Sequence, residues 1–297
     1  MRVVRFVAMR QGLLTVVCRL FDDGTVAEVA EATEFYADLD GWLAQAGALA
    51  GGRRDWREIE EVAAVPPAAR VLCVGLNYRL HAEEAGLPPP EHPAFFGRWT
   101  VSLVSDGTPV PVPHGEPGLD WEVELAAVVG RPLARVDADA ALAGVFGYAA
   151  FNDLSAREHQ MHSRLWTLGK NADSSGPLSP IVTADEVGDP GRGLRLQTRV
   201  NGEVVQDAST ADMIFPVGEI LAYLSEVMTL HPGDVVATGT PQGVGFKRTP
   251  PRYLGPGDTV VVEIEGVGSV STPIVAGDGS SAGGRPAAAT TGVPADR

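Results

Sequence analysis

The feature that most limits what this chain can fold into is the regular interruption of short apolar runs by turn-forming residues. Asn201-Gly202 lies between Thr198-Arg199-Val200 and Glu203-Val204-Val205, and that dipeptide supplies the two positive φ angles a tight hairpin demands. Pro232-Gly233-Asp234 precedes Val235–Ala237, and Gly255-Pro256-Gly257-Asp258 precedes Thr259–Glu265. Near the start, Val4–Met9 and Leu14–Phe21 read as a hairpin about Arg10-Gln11-Gly12. Helical spacing is confined to 31–48, 81–85, 137–143, 155–166 and 216–228. In the first of these Phe35, Leu39, Trp42, Leu43 and Ala46 recur on one face. Many short strands with few helices, and no strand–helix alternation, predict a strand-dominated α+β fold.

Gly51-Gly52 and Val65-Pro66-Pro67 punctuate the chain. They divide it into a small N-terminal α+β module, 1–66, and a main domain, 67–276. Residues 277–297 hold one large aliphatic side chain, Val293, too little apolar area to offset chain entropy, and are expected to be a disordered tail. The formal net charge of −15 argues against nucleic acid, which needs basic surface to displace its counterions. No stretch approaches the ~18 apolar residues of a membrane span, and Arg2, Arg5 and Arg10 break any signal-like core. A cytoplasmic protein without membrane contact is expected. Cys18 and Cys73 each sit in an apolar run, which predicts buried thiols and not a disulfide framework.

Three carboxylates carry the first chemical signal. Trp121–Gly130 has strand character, and residues at i and i+2 of a strand share a face. Glu122 and Glu124 therefore point the same way, with Cα atoms roughly 6.5–7 Å apart. Two carboxylates side by side in an apolar strand repel one another and resist desolvation unless that face is solvated. A hard divalent cation removes both problems, and an all-oxygen set suits Mg²⁺, Mn²⁺ or Ca²⁺ better than zinc. Asp153, between the apolar run Val145–Phe151 and an apparent helix start, reads equally as a helix cap.

A second signal lies after the buried-strand pattern Val71–Gly75. If 81–85 forms a helical turn, His81 and Glu84 meet at i and i+3; this is either an ordinary contact on a surface helix turn or a carboxylate orienting an imidazole as a general base. Lys170, after an apolar stretch and Gly169, is either plain surface or a fixed charge for a substrate carboxylate or developing enolate. Arg157 and Gln160, three apart, offer further donors. Thr238–Gly245 is glycine-rich but lacks the Lys-Ser/Thr of a phosphate loop, and reads as a pocket wall whose backbone amides bind.

Taken in order, GLNYRLHAEE (75–84), PAFFGRW (93–99), DWEVELAAVVG (120–130), GYAAFNDLSAREHQ (147–160), WTLGKNAD (166–173), VNGEVVQ (200–206), MIFPVGEILAYLS (213–225), TLHPGDVVATGTPQGVG (229–245) and YLGPGDTVVVEIEGVG (253–268) resemble the fumarylacetoacetate hydrolase family. The resemblance covers about 67–275. It implies a distorted β-sandwich or roll with flanking helices, and usually a homodimer. It also implies metal ligands at Glu122, Glu124 and Asp153, a catalytic pair at His81 and Glu84, and a substrate lysine at Lys170. Tyr78, Arg157, Gln160 and Thr240 fall on substrate-binding positions. Leu80, Ser179 and Thr272 depart from the family's usual residues; none of these is an implied ligand or catalytic group.

The expected activity is a metal-dependent hydrolase of a carbon–carbon bond, acting on a small 2-oxo or 1,3-dicarbonyl acid of the acylpyruvate or fumarylpyruvate type. Mg²⁺ is the expected cofactor, with Mn²⁺ or Ca²⁺ as substitutes, and His81 with Glu84 activates the attacking water. Decarboxylation or isomerisation of a 2-oxo dicarboxylic acid on the same site is the alternative, and a catalytically silent binding protein the remaining one.

Overall fold

A computed structural model of the protein describes residues 4–49 and 51–277. It is strand-dominated α+β, as the turn signals predict: an eleven-stranded sheet, a five-stranded sheet and a two-stranded pair, with short helices packed on them. The centre of the large sheet is Val123–Val129, buried along its whole length. A strand covered on both faces reads as a continuous apolar run, and Glu124 is the one charged residue in it. It pairs antiparallel with Val145–Asn152 on one side and Val235–Ala237 on the other. Val235–Ala237 runs parallel to Val71–Gly75, which pairs in turn with Ala94–Arg98. These five neighbours bring the site residues together from five stretches of sequence.

The N-terminal strands extend that same sheet. Arg5–Gln11, Leu14–Leu20 and Thr25–Glu31 form an antiparallel meander, and its first strand pairs with Ile181–Thr183, which flanks Val145–Asn152. Phe6 and Phe35 pack against Phe146 with ring centroids 5.6 and 5.7 Å apart, each pair adding ~0.5–1.5 kcal/mol beyond the area it buries. Residues on both sides of Val65-Pro66-Pro67 thus share one core.

The predicted hairpin joins Arg195–Val200 to Glu203–Ser209, with Asn201 and Gly202 at φ 51° and 86°. The helix at 216–228 is Val217–Val227, burying Val217, Ile220, Leu221 and Leu224 on one stripe. Two expected helices differ. The single helix at 31–48 is two, Ala32–Ala37 and Leu39–Ala48. Asp38 between them leaves helical geometry so that its carboxylate accepts the Gly41 N–H and caps the second. The stretch 155–166 is helical only over Arg157–Met161, and Ser163 Oγ then accepts the Leu165 N–H, a local bond that competes with helix continuation. The chain turns through Trp166 at φ 59° into a second short helix, Thr167–Lys170. Cys18 and Cys73 are buried and free. Apart from Gly277, the expected tail 277–297 lies outside the described residues. No helix among the described residues is long and apolar enough to cross a membrane.

Candidate metal and substrate site

Val123 faces the core with a glutamate on each side, and both glutamates are buried, which removes the solvated-face alternative. Asp153 follows directly on Val145–Asn152, and its N–H donates to Glu122 O at 3.0 Å, so the end of one central strand is tied to the start of the other. It is not a helix cap: the next helix begins at Arg157, after Ala156. Carboxylate oxygens of Glu122, Glu124 and Asp153 all lie within 4.8 Å of one another, the scale of the span across a hard cation with ~2.0–2.6 Å bonds to oxygen.

Lys170 is buried, not surface. Its Nζ donates to Glu122 Oε2 at 2.7 Å and Asp153 Oδ2 at 2.8 Å. Burial opposes its charge, yet Asp153 and Glu122 together raise its pKa. Arg157 Nη2 lies 2.6 Å from Glu122 Oε1, its Nε donates to Asp120 Oδ2 at 2.8 Å, and Nη1 donates to Gln160 Oε1 at 2.8 Å. Burial pushes the Glu122 carboxyl up, but Lys170 and then Arg157 outweigh it and hold the group ionised.

Two further residues, missed in the sequence, complete the charge balance. Arg98, with a fully buried side chain, pairs with Asp153 Oδ1 and donates to Ser175 Oγ at 2.7 Å. Asp120 accepts from the N–H groups of Trp121, Gly245 and Phe246 as well as from Arg157. Both had a faint signal in strand parity: Asp120 is in step with Glu122 and Glu124, and Arg98 with inward-facing Phe96. Four buried carboxylates (Asp120, Glu122, Glu124, Asp153) then face three buried cations (Arg98, Arg157, Lys170), leaving one charge, −4 + 3 = −1. The uncompensated group is Glu124. It has no ion pair among the described residues, and its pKa is driven well above the usual value, first by burial, then by Asp153 and Glu122. A carboxylate in that state fits a divalent cation.

The helix Arg79–Ala85 places His81 Nδ1 3.0 Å from Glu84 Oε2, the contact expected at i and i+3. The glycine-rich wall holds two of the site carboxylates in place: Gly239 N–H donates to Glu124 Oε2 at 2.9 Å, and Gly243 N–H to Glu84 Oε1 at 3.0 Å. These two amides bind the protein's own acids, and Thr240 of the same loop lines the cavity. Gly239, at φ 93°, has no room for a side chain: a Cβ there would sit 2.8 Å from Asn77 Cβ.

His81, Glu122, Glu124, Arg157, Gln160, Lys170 and Thr240 line one cavity of about 200 Å³, smaller than the ~300–1,000 Å³ of drug-sized sites. Leu87, Phe96 and Trp166 form apolar wall. Trp166 approaches so closely that a Cβ on Gly75 would lie 2.5 Å from its ring. Glu84 and Asp153 stand behind His81 and Lys170. Tyr78 is the exception among the expected substrate-binding residues. It precedes the helix in extended geometry and does not line the cavity, yet its buried hydroxyl has no hydrogen-bond partner among the described residues, and burial followed by the Glu124 carboxylate pushes its pKa up.

Residues 70–275 match the family described as fumarylacetoacetate (FAA) hydrolase C-terminal. A human mitochondrial oxaloacetate tautomerase is 41% identical over 221 residues, covering 73% of this chain and 70% of that protein. The crystal structure of a 2-hydroxyhepta-2,4-diene-1,7-dioate isomerase from Mycobacterium marinum superposes with a TM-score of 0.73 at 31% identity, covering 94% of this chain and all of the other. Fumarylpyruvate hydrolase from Pseudomonas aeruginosa, solved with Mn²⁺ and pyruvate, gives 0.65 at 32% identity over 73% of this chain and 92% of its own.

Proposed function

This chain belongs to the fumarylacetoacetate hydrolase family, and from that premise we propose that it hydrolyses a carbon–carbon bond in a small 2-oxo or 1,3-dicarbonyl acid. The observation that carries the proposal is one small cavity lined by His81, backed by Glu84, and by the uncompensated Glu124 with Glu122. A divalent cation held by Glu122, Glu124 and Asp153, Mg²⁺ with Mn²⁺ or Ca²⁺ as substitutes, supplies Lewis-acid polarisation of the substrate oxygens when bound.

The chain's own residues do the rest. Glu84, fixed by Gly243, occupies His81 Nδ1 and leaves Nε2 to take a proton from water. The hydroxide adds to the distal carbonyl carbon. The carbon–carbon bond breaks, its electron pair passing into the 2-oxo acid fragment as an enolate. Lys170 sets a positive charge beside that enolate, and the proton on His81 returns to it. Arg157 and Gln160 orient the acid. Exposed Trp99, Val101 and Leu168 are apolar surface that supports the homodimer implied by the family.

A second reading, keto–enol isomerisation of a 2-oxo dicarboxylic acid, is favoured by the 41% identity to an oxaloacetate tautomerase. The same His81–Glu84 pair would move a proton between carbon and oxygen without adding water. Turnover of acetylpyruvate, fumarylpyruvate and oxaloacetate with Mg²⁺, scored by product, separates them. Pyruvate plus the matching acid supports hydrolysis, interconversion of oxaloacetate tautomers alone supports isomerisation, and no turnover of any with Mg²⁺ or Mn²⁺ defeats both.

A further inference from the structure

We propose that Lys247 reads a second, distal carboxylate, so that the preferred substrate of this site is a dianion. The inference rests on the functional reading above, in which a cation held by Glu122, Glu124 and Asp153 would polarise the oxygens of the 2-oxo acid end. Three cations line the cavity: Arg157, Lys170 and Lys247. Arg157 is committed to Asp120 and Glu122, and Lys170 to Glu122 and Asp153. Lys247 has no acidic partner among the described residues. Its neighbours in the same basic run are engaged: Arg248 donates to Val205 O at 2.7 Å and Arg252 to Glu203 Oε2 at 2.8 Å.

Phe246 is what places the free ammonium. Arg157 Cζ lies 4.3 Å from the Phe246 ring centroid, and Lys247 Nζ lies 5.0 Å from it, so one ring carries the cavity's bound cation and its unbound one. Phe246 is itself held, because its N–H donates to Asp120 Oδ2 at 3.1 Å. A cation–π contact positions an ammonium without consuming its N–H donors. Val74, Leu87 and Phe96 give the same cavity apolar lining beside its charged groups. A small acid that is anionic at one end only would leave Lys247 unused, whereas one with a carboxylate at each end meets both.

The test compares fumarylpyruvate with its monoester at the distal carboxyl, using the full chain with Mg²⁺ and the variants Lys247→Gln and Lys247→Arg. Wild type is expected to prefer the diacid in kcat/KM. Lys247→Gln should cut the diacid-to-ester ratio at least about fivefold, mainly through KM, while Lys247→Arg keeps most of it. A ratio within about twofold of wild type in Lys247→Gln, with both compounds turned over, overturns the role of Lys247 and leaves the functional reading intact. If wild type turns over neither compound, the functional reading fails and the assignment falls with it.

Discussion

The backbone N–H of Gly243 donates to Glu84 Oε1 at 3.0 Å, while Oε2 of the same carboxylate sits 3.0 Å from His81 Nδ1. The loop that walls the cavity therefore also sets the orientation of the base. Replacing His81 with Ala is predicted to lower the rate of hydrolysis by ~10²–10⁴. Glu84→Gln, which keeps an acceptor for Gly243, should lose less. Decarboxylation needs no activated water and would largely survive His81→Ala. Product-resolved kinetics on both variants decide this, and unchanged hydrolysis in His81→Ala would remove His81 from the mechanism.

Asp120 joins three N–H groups and the Arg157 guanidinium through one buried carboxylate. Its removal leaves Arg157 buried and short of a partner. Asp120→Ala should reduce the free energy of unfolding by ~3–5 kcal/mol, and Asp120→Asn by less. Urea unfolding midpoints measure the loss. A midpoint equal to wild type would show that the network is not structural.

Lys170 shares two carboxylates with the proposed metal. Lys170→Met is predicted to strengthen Mn²⁺ binding, by deleting a competing positive charge, while lowering turnover by ~10²–10³. Weaker metal binding together with lost turnover would instead make the lysine a structural prop of the ligand set.

Glu61, whose Oε2 accepts from Trp56 Nε1 at 2.7 Å, is pushed up to about 7 by burial, with the Trp56 bond opposing and Asp106 adding to the shift. The folded state thus holds this proton more tightly than the unfolded chain, where the ordinary value is 4.5. The stability it contributes is fully present below about 4.5 and is lost as pH rises through about 7. Thermal melts from pH 4 to 8 should show Glu61→Gln gaining on wild type across that window. Parallel pH profiles would contradict the shift.

Much of the fold was legible because turn chemistry is local. Asn201-Gly202 needs no tertiary information to make a hairpin, and Val217–Val227 shows its buried stripe in its own spacing. Where the expectation spanned a longer stretch, hydrophobic periodicity misled, because polar side chains within it took backbone N–H groups. Asp38 split one expected helix by capping the second half, and the run after Met161 lost its helix to a serine bond and the turn at Trp166. The site follows the same division. Glu122 with Glu124 and His81 with Glu84 are close in sequence and could be paired by periodicity. Asp153 looked like a cap because its partners, Arg98 and Lys170, come from distant strands and helices. Lys170 looked like surface for the same reason. Asp120 and Arg98 carried only strand parity, and Lys247 gave no signal until Phe246 was seen to place it.

The central claim is that Glu122, Glu124 and Asp153 hold a divalent cation, and calorimetric titration of Mn²⁺ into wild type and Glu124→Gln tests it most directly. One ion per chain is predicted for wild type, with binding weakened at least about a hundredfold in the variant, beyond the 10–100-fold typical of losing an outer partner. Equal Mn²⁺ affinity in the two proteins, or none in wild type, would contradict the account.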